Sequence, residues 1–385
     1  MTEKIYYKDA YIKEFSATVL SCKAESEHYE IILDKTAFFP EEGGQYSDKG
    51  YLGEARVFDV KETDGIIRHF TDLPIPENST VTGRIDFDER FEKMQCHTAE
   101  HIISGIIHSL FGLENVGFHL GEEEVTMDIS APLSRAELDR VEALANEAVY
   151  NNVRVTTEFP SAEELSGLQY RSKLDLRENV RIVYIGEYDA CACCAPHVAY
   201  TGEIGTIKIL DFTGLRGGIR IRIAAGRRAM RIFSGLLERA QEISALLSVP
   251  KSEIYFATRK LHEDFASLKN GFAAYRISVM EKQAENLSFE TGNRVLTFSD
   301  ASIPELIAFS NASSGKTEGI LVLLSGLDGD YKYVISSNSV NLKEIAQDIN
   351  KSLLGRGGGK PNMIQGSFSS SLDEIKSYFN LLRQD

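Results

Sequence analysis

Two histidines four residues apart are the first candidates for chemistry in this sequence. They lie in the stretch His97-Thr98-Ala99-Glu100-His101, whose flanking residues favour a helix. Residues four apart lie on one face of a helix, about one turn from each other, so the two imidazoles can bind one metal ion. A pair at this spacing also occurs by chance, and histidines of the core or the surface are the alternative.

A second pair of potential ligands, Cys193 and His197, lies much further along the chain. Pro196 precludes a regular helix there and predicts a turn that presents both side chains. Thiolate and imidazole both bind zinc well, and ligand pairs on a helix and on a turn can converge in space. Together with His97 and His101, Cys193 and His197 therefore form a ligand set well suited to Zn²⁺.

The cysteines also favour a metal site. Three of the five, Cys191, Cys193 and Cys194, are clustered. An odd and clustered set argues against a disulfide framework and favours a metal site or a reactive thiol. Cys191 and Cys194 are alternative thiolates, and Cys191-Ala192-Cys193-Cys194 contains a CxxC that serves as a redox pair in other contexts.

Length and composition set broad limits. The 385 residues, 43% of them hydrophobic and 26% charged, are enough for a sizeable core and about two or three domains. We find neither the roughly 20 uncharged apolar residues of a membrane-spanning helix nor a signal peptide, so we expect a cytoplasmic protein without membrane contact. The net charge of −15 disfavours generic nucleic-acid binding, so any phosphate-binding patch must be local.

Four segments would position these residues in an α+β chain. Residues 1–85 contain short β-prone runs that predict a small antiparallel β-barrel. Residues 86–232 mix helices with an antiparallel sheet and carry both candidate ligand pairs. Residues 233–290 form two helices separated by Pro250, with an apolar seam suited to an internal hairpin or a dimer. Residues 291–385 alternate strand and helix as an α/β domain.

The chain resembles the editing domains of alanyl- and threonyl-tRNA synthetases, and most closely the free-standing alanyl-tRNA editing proteins of the AlaX type. The matching stretches, in chain order, are Thr36–Gln45, Gln95–His101, Gly117–Gly121, Cys193–Val198, Thr201–Gly205 and Gly355–Pro361. They extend over nearly the whole chain, which implies the long form of these proteins. Residues 86–232 would then be the zinc-dependent editing domain, and residues 291–385 a C-terminal DHH-associated domain.

The resemblance implies a hydrolase that removes serine or glycine wrongly attached to tRNA for alanine. It assigns zinc to the same four ligands, with Cys193 preferred because it keeps the spacing to His197. Thr36 and Gln45 would face the aminoacyl group, with Thr36 sensing a substrate hydroxyl. The alternative is that both residues only hydrogen-bond their own loop.

Two features leave the mechanism open. The family usually has Cys-Gly-Gly-Thr-His at the second ligand pair, whereas Cys194, Ala195 and Pro196 occupy the middle positions here. A substrate contact made by the family's glycine amides or threonine is therefore lost or replaced. Four protein ligands also make a closed site, while catalytic zinc usually keeps one position open. Zinc could activate water, bind substrate or be structural.

Local basic clusters are candidates for tRNA binding. The predicted contacts are Arg216, Arg220, Arg222, Arg227, Arg228, Arg356 and Lys360. A second cluster contains Arg171, Lys173, Arg177 and Arg181. Clustered cations in an acidic protein suit phosphate binding. A salt-bridged surface is the alternative for the clusters, and a tight structural turn is the alternative for the glycine run that holds Arg356 and Lys360.

Two other functions fit parts of the pattern. The stretch from His97 to His101 matches the H-x-x-E-H of an inverted zinc metallopeptidase, with Glu100 as the general base and Glu178 as a conceivable third ligand. That hypothesis leaves Cys193 and His197 unexplained. The chain could also be a non-catalytic, zinc-stabilised tRNA-binding module. The helical seam and the C-terminal domain favour a homodimer.

Overall fold

The computed structural model describes residues 1–172 and 180–382. It divides into two compact units, Met1–Gln241 and Glu242–Asp385. The mixed α+β class predicted from the sequence is confirmed. The four-part division stays a prediction, since the first unit holds both the predicted barrel and the predicted metal-binding segment. Lys173, Arg177 and Glu178 lie outside the described residues.

The first unit contains fifteen strands among its described residues. They are β1 (Glu3–Lys4), β2 (Glu14–Ala24), β3 (Tyr29–Leu33), β4 (Lys35–Thr36), β5 (Gly50–Leu52), β6 (Ala55–Thr63), β7 (Ile66–Thr71), β8 (Thr80–Ile85), β9 (Asn115–Leu120), β10 (Val125–Ile129), β11 (Val155–Glu158), β12 (Ile182–Ile185), β13 (Asp189–Ala192), β14 (Ile207–Leu215) and β15 (Gly218–Ala225). Its helices are α1 (Phe87–Phe111), α2 (Arg135–Tyr150), α3 (Ala162–Gly167) and α4 (Gly226–Leu247), the last of which crosses the boundary between the units.

Six of these strands close into an antiparallel barrel in the order β2-β3-β7-β6-β5-β8. Alternate residues point inward, as the strictly alternating exposure of β8 shows. Val19, Ile31, Leu33, Val57 and Ile67 are fully buried in this core. Closure leaves the barrel without free edges.

Besides a parallel pair of β1 with β4, the unit contains a four-stranded sheet in the order β14-β15-β10-β9 and a three-stranded one in the order β11-β12-β13. Helix α1 packs among them and is buried along most of its length. Ile102, Ile103 and Ile107 lie on its core side, and Gly112 ends it in the left-handed conformation. A helix enclosed in this way holds its polar side chains in fixed places.

The second unit builds one sheet with helices. Its elements are α5 (Ile254–Glu285), β16 (Arg294–Phe298), α6 (Ile303–Ala312), β17 (Ile320–Leu327), β18 (Asp330–Ser337), α7 (Leu342–Ser352), β19 (Gly355–Lys360), β20 (Met363–Phe368) and α8 (Leu372–Leu381). The strand order is β16-β17-β18-β20-β19. Among the described strands of this sheet, only β16 and β17 pair in parallel, because short turns join β17 to β18 and β19 to β20. The predicted α/β pattern is therefore a largely antiparallel sheet with helices.

Across residues 1–172 and 180–382, no helix has the length and apolar character that spanning a membrane requires.

Candidate metal centre

Four side chains that are far apart in the sequence converge beside α1. The group consists of the Cys193 sulfur and one ring nitrogen from each of His97, His101 and His197. These four atoms lie within 4.8 Å of one another. The sulfur is 3.5 Å from His97 Nε2 and 3.4 Å from His197 Nε2. The three histidines are buried and Cys193 is partly buried. This group could hold a metal ion.

Each histidine of the group is oriented through its other ring nitrogen. His97 Nδ1 lies 2.8 Å from Gln45 Oε1, and His101 Nδ1 lies 2.9 Å from Asp189 Oδ2. Amide and carboxylate oxygens only accept hydrogen bonds, so both Nδ1 atoms carry the proton. Both Nε2 atoms are then left as lone-pair donors for the cluster.

The third histidine is held in the same way by a hydroxyl. Thr98 Oγ1 donates to Met94 O at 2.8 Å, so it can accept from His197 Nδ1 at 3.0 Å. The Val198 amide also donates to this hydroxyl at 3.3 Å. Thr98 lies in α1 between the two helical histidines and therefore ties the turn of His197 to the helix.

The turn that carries Cys193 is clamped by Arg181. The Cys193 amide donates to the Arg181 carbonyl at 2.9 Å, and Arg181 Nη1 donates to the carbonyls of Cys193 and Ala195, each at 2.9 Å. Arg181 is buried, burial lowers its pKa, and its Nε has no hydrogen-bond partner. This arginine therefore supports the metal-ligand turn, which argues against its predicted place in a solvent-facing basic cluster.

A buried ion-pair network holds the loop of Gln45 against α1. The guanidinium of Arg90 binds the Asp48 carboxylate and the Ala37 carbonyl, and Lys93 Nζ donates to the Ser47 carbonyl at 2.6 Å. Burial raises the pKa of Asp48, but Arg90 and Lys93 outweigh it and hold that pKa below its ordinary value. Because paired buried charges are costly to separate, this network fixes the loop firmly.

Gly44 allows the same loop to approach β9. Its φ of +84° suits glycine, and a Cβ there would lie 2.3 Å from the Phe118 carbonyl oxygen. The Leu120 amide donates to the Gly44 carbonyl at 2.7 Å. The close approach places Gln45, which is fully buried, against His97. Gln45 Nε2 remains a buried donor without a hydrogen-bond partner.

The electrostatics of the cluster favour cation binding. Burial opposes ionisation of the Cys193 thiol, but the neighbouring histidines, His97 foremost, outweigh it and hold its pKa well below the ordinary value. Burial lowers the pKa of His197 to about 3, so its ring is neutral near pH 7. A thiolate beside a neutral imidazole is the form in which these groups bind metal.

Thr36, the predicted hydroxyl sensor, lies in the core of the barrel. Its Oγ1 is 2.8 Å from His69 Nε2 and accepts from the Phe38 amide at 3.1 Å. His69 Nδ1 faces the Ile31 carbonyl at 3.1 Å and must donate to it, so Nε2 accepts the Thr36 proton. Only the bond with Phe38 is the local kind of the alternative interpretation, since His69 lies on β7, and the hydroxyl oxygen keeps one lone pair.

The Glu100 carboxylate, the predicted general base of a peptidase, is held by residues outside the metal cluster. Its Oε1 accepts hydrogen bonds from Ser104 Oγ at 2.5 Å and from Asn115 Nδ2. Its Oε2 lies 3.9 Å from His101 Nε2. The carboxylate therefore has a structural task in the core and lies near the cluster without belonging to it.

The other two clustered thiols have separate surroundings. Cys191 forms a second group within 4.8 Å together with His101 and Asp189, and thus shares His101 with the first group. Burial raises the pKa of Cys191 to about 11. Burial, with the neighbouring Cys193 and Glu42, also raises the pKa of Cys194. Both cysteines are free thiols.

Most arginines predicted to bind tRNA form ion pairs. Arg220 binds Asp128, Arg222 binds Asp211 and Glu124, Arg227 binds Asp88, and Arg228 binds Glu92. Arg228 is also buried, which leaves it little surface for a phosphate and argues against its predicted role. In the described parts of the chain, Arg216, Arg356 and Lys360 are exposed and have no ion-pair partner.

Sequence reasoning singled out Gln45 for contact with the aminoacyl group, but it missed the residues that orient the other two histidines. Asp189 and Thr98 hold two of the histidines, and Asp48 with Arg90 and Lys93 holds the loop. One signal was present in the sequence, because Arg90 and Lys93 fall on the same strongly helical segment as His97 and His101. Their partners lie on other elements, so the sequence offered no spacing by which to find them.

Comparisons with known proteins place this site in a class. Residues 180–223 match the threonyl and alanyl tRNA synthetase second additional domain, and residues 2–89 match class II (A) tRNA synthetases. The first match includes Cys193 and His197, and the second spans the barrel and the loop of Gln45. The fold and the site therefore resemble those of the domains that accompany these synthetases.

Comparison with individual proteins gives a more specific resemblance. The alanyl-tRNA editing protein AlaX-L of Pyrococcus horikoshii is 28% identical over 394 residues, which cover 97% of this chain and 96% of the relative. The alanine–tRNA ligase of Halorubrum lacusprofundi is 31% identical, over 95% of this chain but only 42% of the ligase. The resemblance to free-standing alanyl-tRNA editing proteins is thereby confirmed.

A solved structure also matches part of the chain. The C-Ala domain of Aquifex aeolicus alanyl-tRNA synthetase shares 23% identity, covers 26% of this chain and 93% of that domain, and has a TM-score of 0.21. That score is too low to support an argument about the fold.

Proposed function

We propose that this protein is a trans-editing hydrolase that deacylates mischarged tRNA for alanine, carrying serine or glycine, at a zinc site. The observation that carries the proposal is the convergence of three oriented histidines and one cysteine in a chain similar, end to end, to an alanyl-tRNA editing protein. Ester hydrolysis requires an oriented water and stabilisation of the charge that develops on the carbonyl oxygen.

The donor set fits zinc. Zinc bonds of about 2.3 Å to sulfur and about 2.0–2.1 Å to nitrogen imply sulfur–nitrogen edges of about 3.5 Å in a tetrahedron. The two sulfur–nitrogen distances are 3.5 and 3.4 Å. The proposed ligands are therefore His97, His101, Cys193 and His197. When bound, zinc supplies Lewis acidity that polarises an ester carbonyl or makes water more acidic.

Two residues would give the site its preference for substrate. The unpartnered Gln45 Nε2 is a donor that suits an acceptor on the aminoacyl group, such as its carbonyl oxygen. Thr36 donates its own proton to His69, so it would meet a substrate hydroxyl only as an acceptor. A serine side chain can supply that donor, whereas an alanine side chain cannot.

A basic face of the second unit supports tRNA binding. Lys332, Ser367 and Arg356 lie side by side on β18, β20 and β19, and Lys360 follows four residues later on the same face. Gly358 lies between Arg356 and Lys360, and a Cβ there would meet nothing within 4 Å. We propose that this cationic face binds phosphates of the tRNA, and that Arg216 is a separate phosphate contact in the first unit.

Helix α5 supports the proposed homodimer. Large apolar residues recur along α5 at alternating steps of four and three, which is the heptad pattern of a helix–helix seam. They are Leu261, Phe265, Leu268, Phe272 and Tyr275. Each of these side chains is more than half exposed within the chain. Contiguous exposed apolar surface of this kind marks an interaction site, and a second copy of α5 matches it in length and pattern.

The metallopeptidase alternative is less well supported. It assigns no task to Cys193 and His197, whose donor atoms lie within the cluster, and it needs Glu100, which is held by Ser104 and Asn115. The ligand set also suits the non-catalytic alternative, because a closed set of four protein ligands is typical of structural zinc.

The decisive experiment measures release of labelled amino acid from Ser-, Gly- and Ala-charged tRNA for alanine, with metal content determined in parallel. We expect release from the Ser or Gly form, with the Ala form spared. Cys193→Ala should lose both metal and hydrolysis. Cys22→Ala, which alters another partly buried free thiol in the barrel, should lose neither.

Failure of all three substrates to release amino acid while zinc remains bound would refute the editing proposal and favour the binding module. If the Cys193→Ala protein loses zinc and also unfolds globally, that result would favour a structural role for the ion. For the tRNA surface, we expect each of Arg356→Ala and Lys360→Ala to weaken binding and to reduce the salt-dependence slope by about 1. Lys343→Ala, on α7, should leave binding unchanged.

A further inference from the structure

Of the three histidines in the metal centre, His101 has a charged partner. His97 faces the Gln45 amide and His197 faces the Thr98 hydroxyl, whereas His101 Nδ1 donates to the Asp189 carboxylate at 2.9 Å. A carboxylate that accepts this proton makes the opposite ring nitrogen a stronger donor to a metal than a neutral acceptor does. His101 is thus the histidine whose ligand strength depends most on a second residue.

Asp189 is itself held by Arg171. Arg171 Nε lies 2.7 Å from Asp189 Oδ1, and Nη2 lies 2.8 Å from Oδ2, so the pair is bidentate. The carboxylate is almost completely buried and the guanidinium is mostly buried. Planar bidentate pairing fixes the orientation of the carboxylate plane, which a single point contact does not. Oδ2, shared between Arg171 and His101, therefore has a defined direction.

The backbone builds this arrangement into the sheet. The Arg171 amide donates to the Ala190 carbonyl at 2.8 Å and its carbonyl accepts from the Ala192 amide at 2.9 Å, so Arg171 lies alongside β13. Helix α1 meets β13 closely at Gly105, one turn beyond His101, where a Cβ would lie 2.0 Å from the Tyr188 carbonyl oxygen. The close contact brings Asp189 within reach of His101.

We propose that Asp189 and Arg171 are positioning residues for His101, and that this pair sets how tightly the cluster holds its metal ion. The inference rests on the metal centre of the proposed function. It also changes the role of Arg171, which the sequence had placed in a possible phosphate-binding cluster. The competing explanation is a salt bridge that stabilises the fold and leaves the metal affinity untouched.

The test compares zinc affinities of the full chain by competition with a chelator. Asp189→Asn should weaken zinc binding about 10- to 100-fold, because outer-shell partners of ligating histidines typically contribute that much. Arg171→Gln should weaken it in the same direction and by less, since the bond from His101 to Asp189 persists. The matched control is Asp128→Asn, whose partner Arg220 makes the same two contacts at 2.7 and 2.8 Å, away from the cluster. It should keep the affinity of the unaltered protein.

Two spectroscopic measurements separate positioning from stability. In the zinc-loaded unaltered protein, nitrogen NMR of histidine should show His101 protonated at Nδ1, with a strongly hydrogen-bonded proton. The Co²⁺-substituted Asp189→Asn protein should show altered visible absorption, which a purely stabilising salt bridge would not change. If Asp189→Asn does not fold, the zinc affinity and the Co²⁺ absorption of the Arg171→Gln protein supply the same test.

Each outcome has a distinct meaning. If the unaltered protein does not bind zinc, both the proposed metal centre and the positioning role of Asp189 and Arg171 are refuted. If it binds zinc and Asp189→Asn binds it equally well with an unchanged Co²⁺ spectrum, only the positioning role is refuted and the metal centre stands. A His101 protonated at Nε2 in the zinc-loaded protein would also overturn it.

Discussion

The buried His69 makes the stability of the barrel depend on pH in a defined way. It is fully buried, donates from Nδ1 to the Ile31 carbonyl and accepts the Thr36 proton at Nε2. Burial lowers its pKa from 6.5 to about 4. In the unfolded chain the imidazole returns to its ordinary pKa, so the unfolded state binds a proton more readily than the folded state.

The sign and the magnitude follow from this difference. A group with a depressed folded-state pKa contributes stability that is fully present above the unfolded pKa and is lost as pH falls through the folded pKa. The window therefore runs from about 6.5 down to about 4. Over it, His69 should remove about 3 kcal/mol from the free energy of unfolding, at about 1.4 kcal/mol for each pH unit.

The assay compares the protein with His69→Gln. Glutamine is neutral and can keep both contacts, since its amide donates to Ile31 and its oxygen accepts from Thr36. Hydrogen exchange at the amides of β7, followed at about pH 7 and about pH 4.5, reports the local free energy of opening. Metal content must be equal in both proteins, because a bound ion stabilises the folded state by itself.

We expect the unaltered barrel to lose about 2–3 kcal/mol more than the His69→Gln barrel between these two pH values. The other histidines are identical in both proteins, so their contributions cancel in the difference. Parallel profiles for the two proteins would refute the argument and would mean that His69 titrates near its ordinary pKa. Direct NMR titration of the ring supplies an independent check.

Three further changes test other parts of the structure. Gly105→Ala adds a methyl group 2.0 Å from the Tyr188 carbonyl oxygen, so the thermal midpoint should fall by the equivalent of about 1–3 kcal/mol; an unchanged midpoint would show that α1 and β13 are not in close contact. Gln45→Leu removes the hydrogen-bond acceptor of His97 Nδ1, so zinc binding measured by chelator competition should weaken about tenfold or more. An unaltered zinc affinity would show that Gln45 does not support the metal centre. Leu268→Glu places a charge in the α5 seam and should shift sedimentation from dimer to monomer; a dimer that persists would place the interface elsewhere.

Several features could be predicted because they are local properties of the sequence. Alternating apolar residues define barrel strands, and the uncharged face of α1 defines its core side, whatever the rest of the chain does. The four-residue spacing of His97 and His101 fixes their common face once the helix forms. The metal-binding residue types in the second pair are likewise visible without a structure.

What the sequence could not supply are the partners that decide how those residues act. Gln45, Asp189 and Thr98 orient the histidines across 52, 88 and 99 residues of sequence, with no periodicity to connect them. The same holds for Arg228, which has the composition of a phosphate contact but lies buried against Glu92.

The sequence by itself determined which elements form and which residue types bind metal, since both depend on neighbours a few positions away. Only the tertiary structure decided which ring nitrogen of each histidine faces the metal cluster and which arginines form ion pairs. It also decided that the Thr36 hydroxyl donates its hydrogen bond to His69. Hydrogen bonds and ion pairs depend on distances of a few ångströms between atoms that chain folding alone brings together.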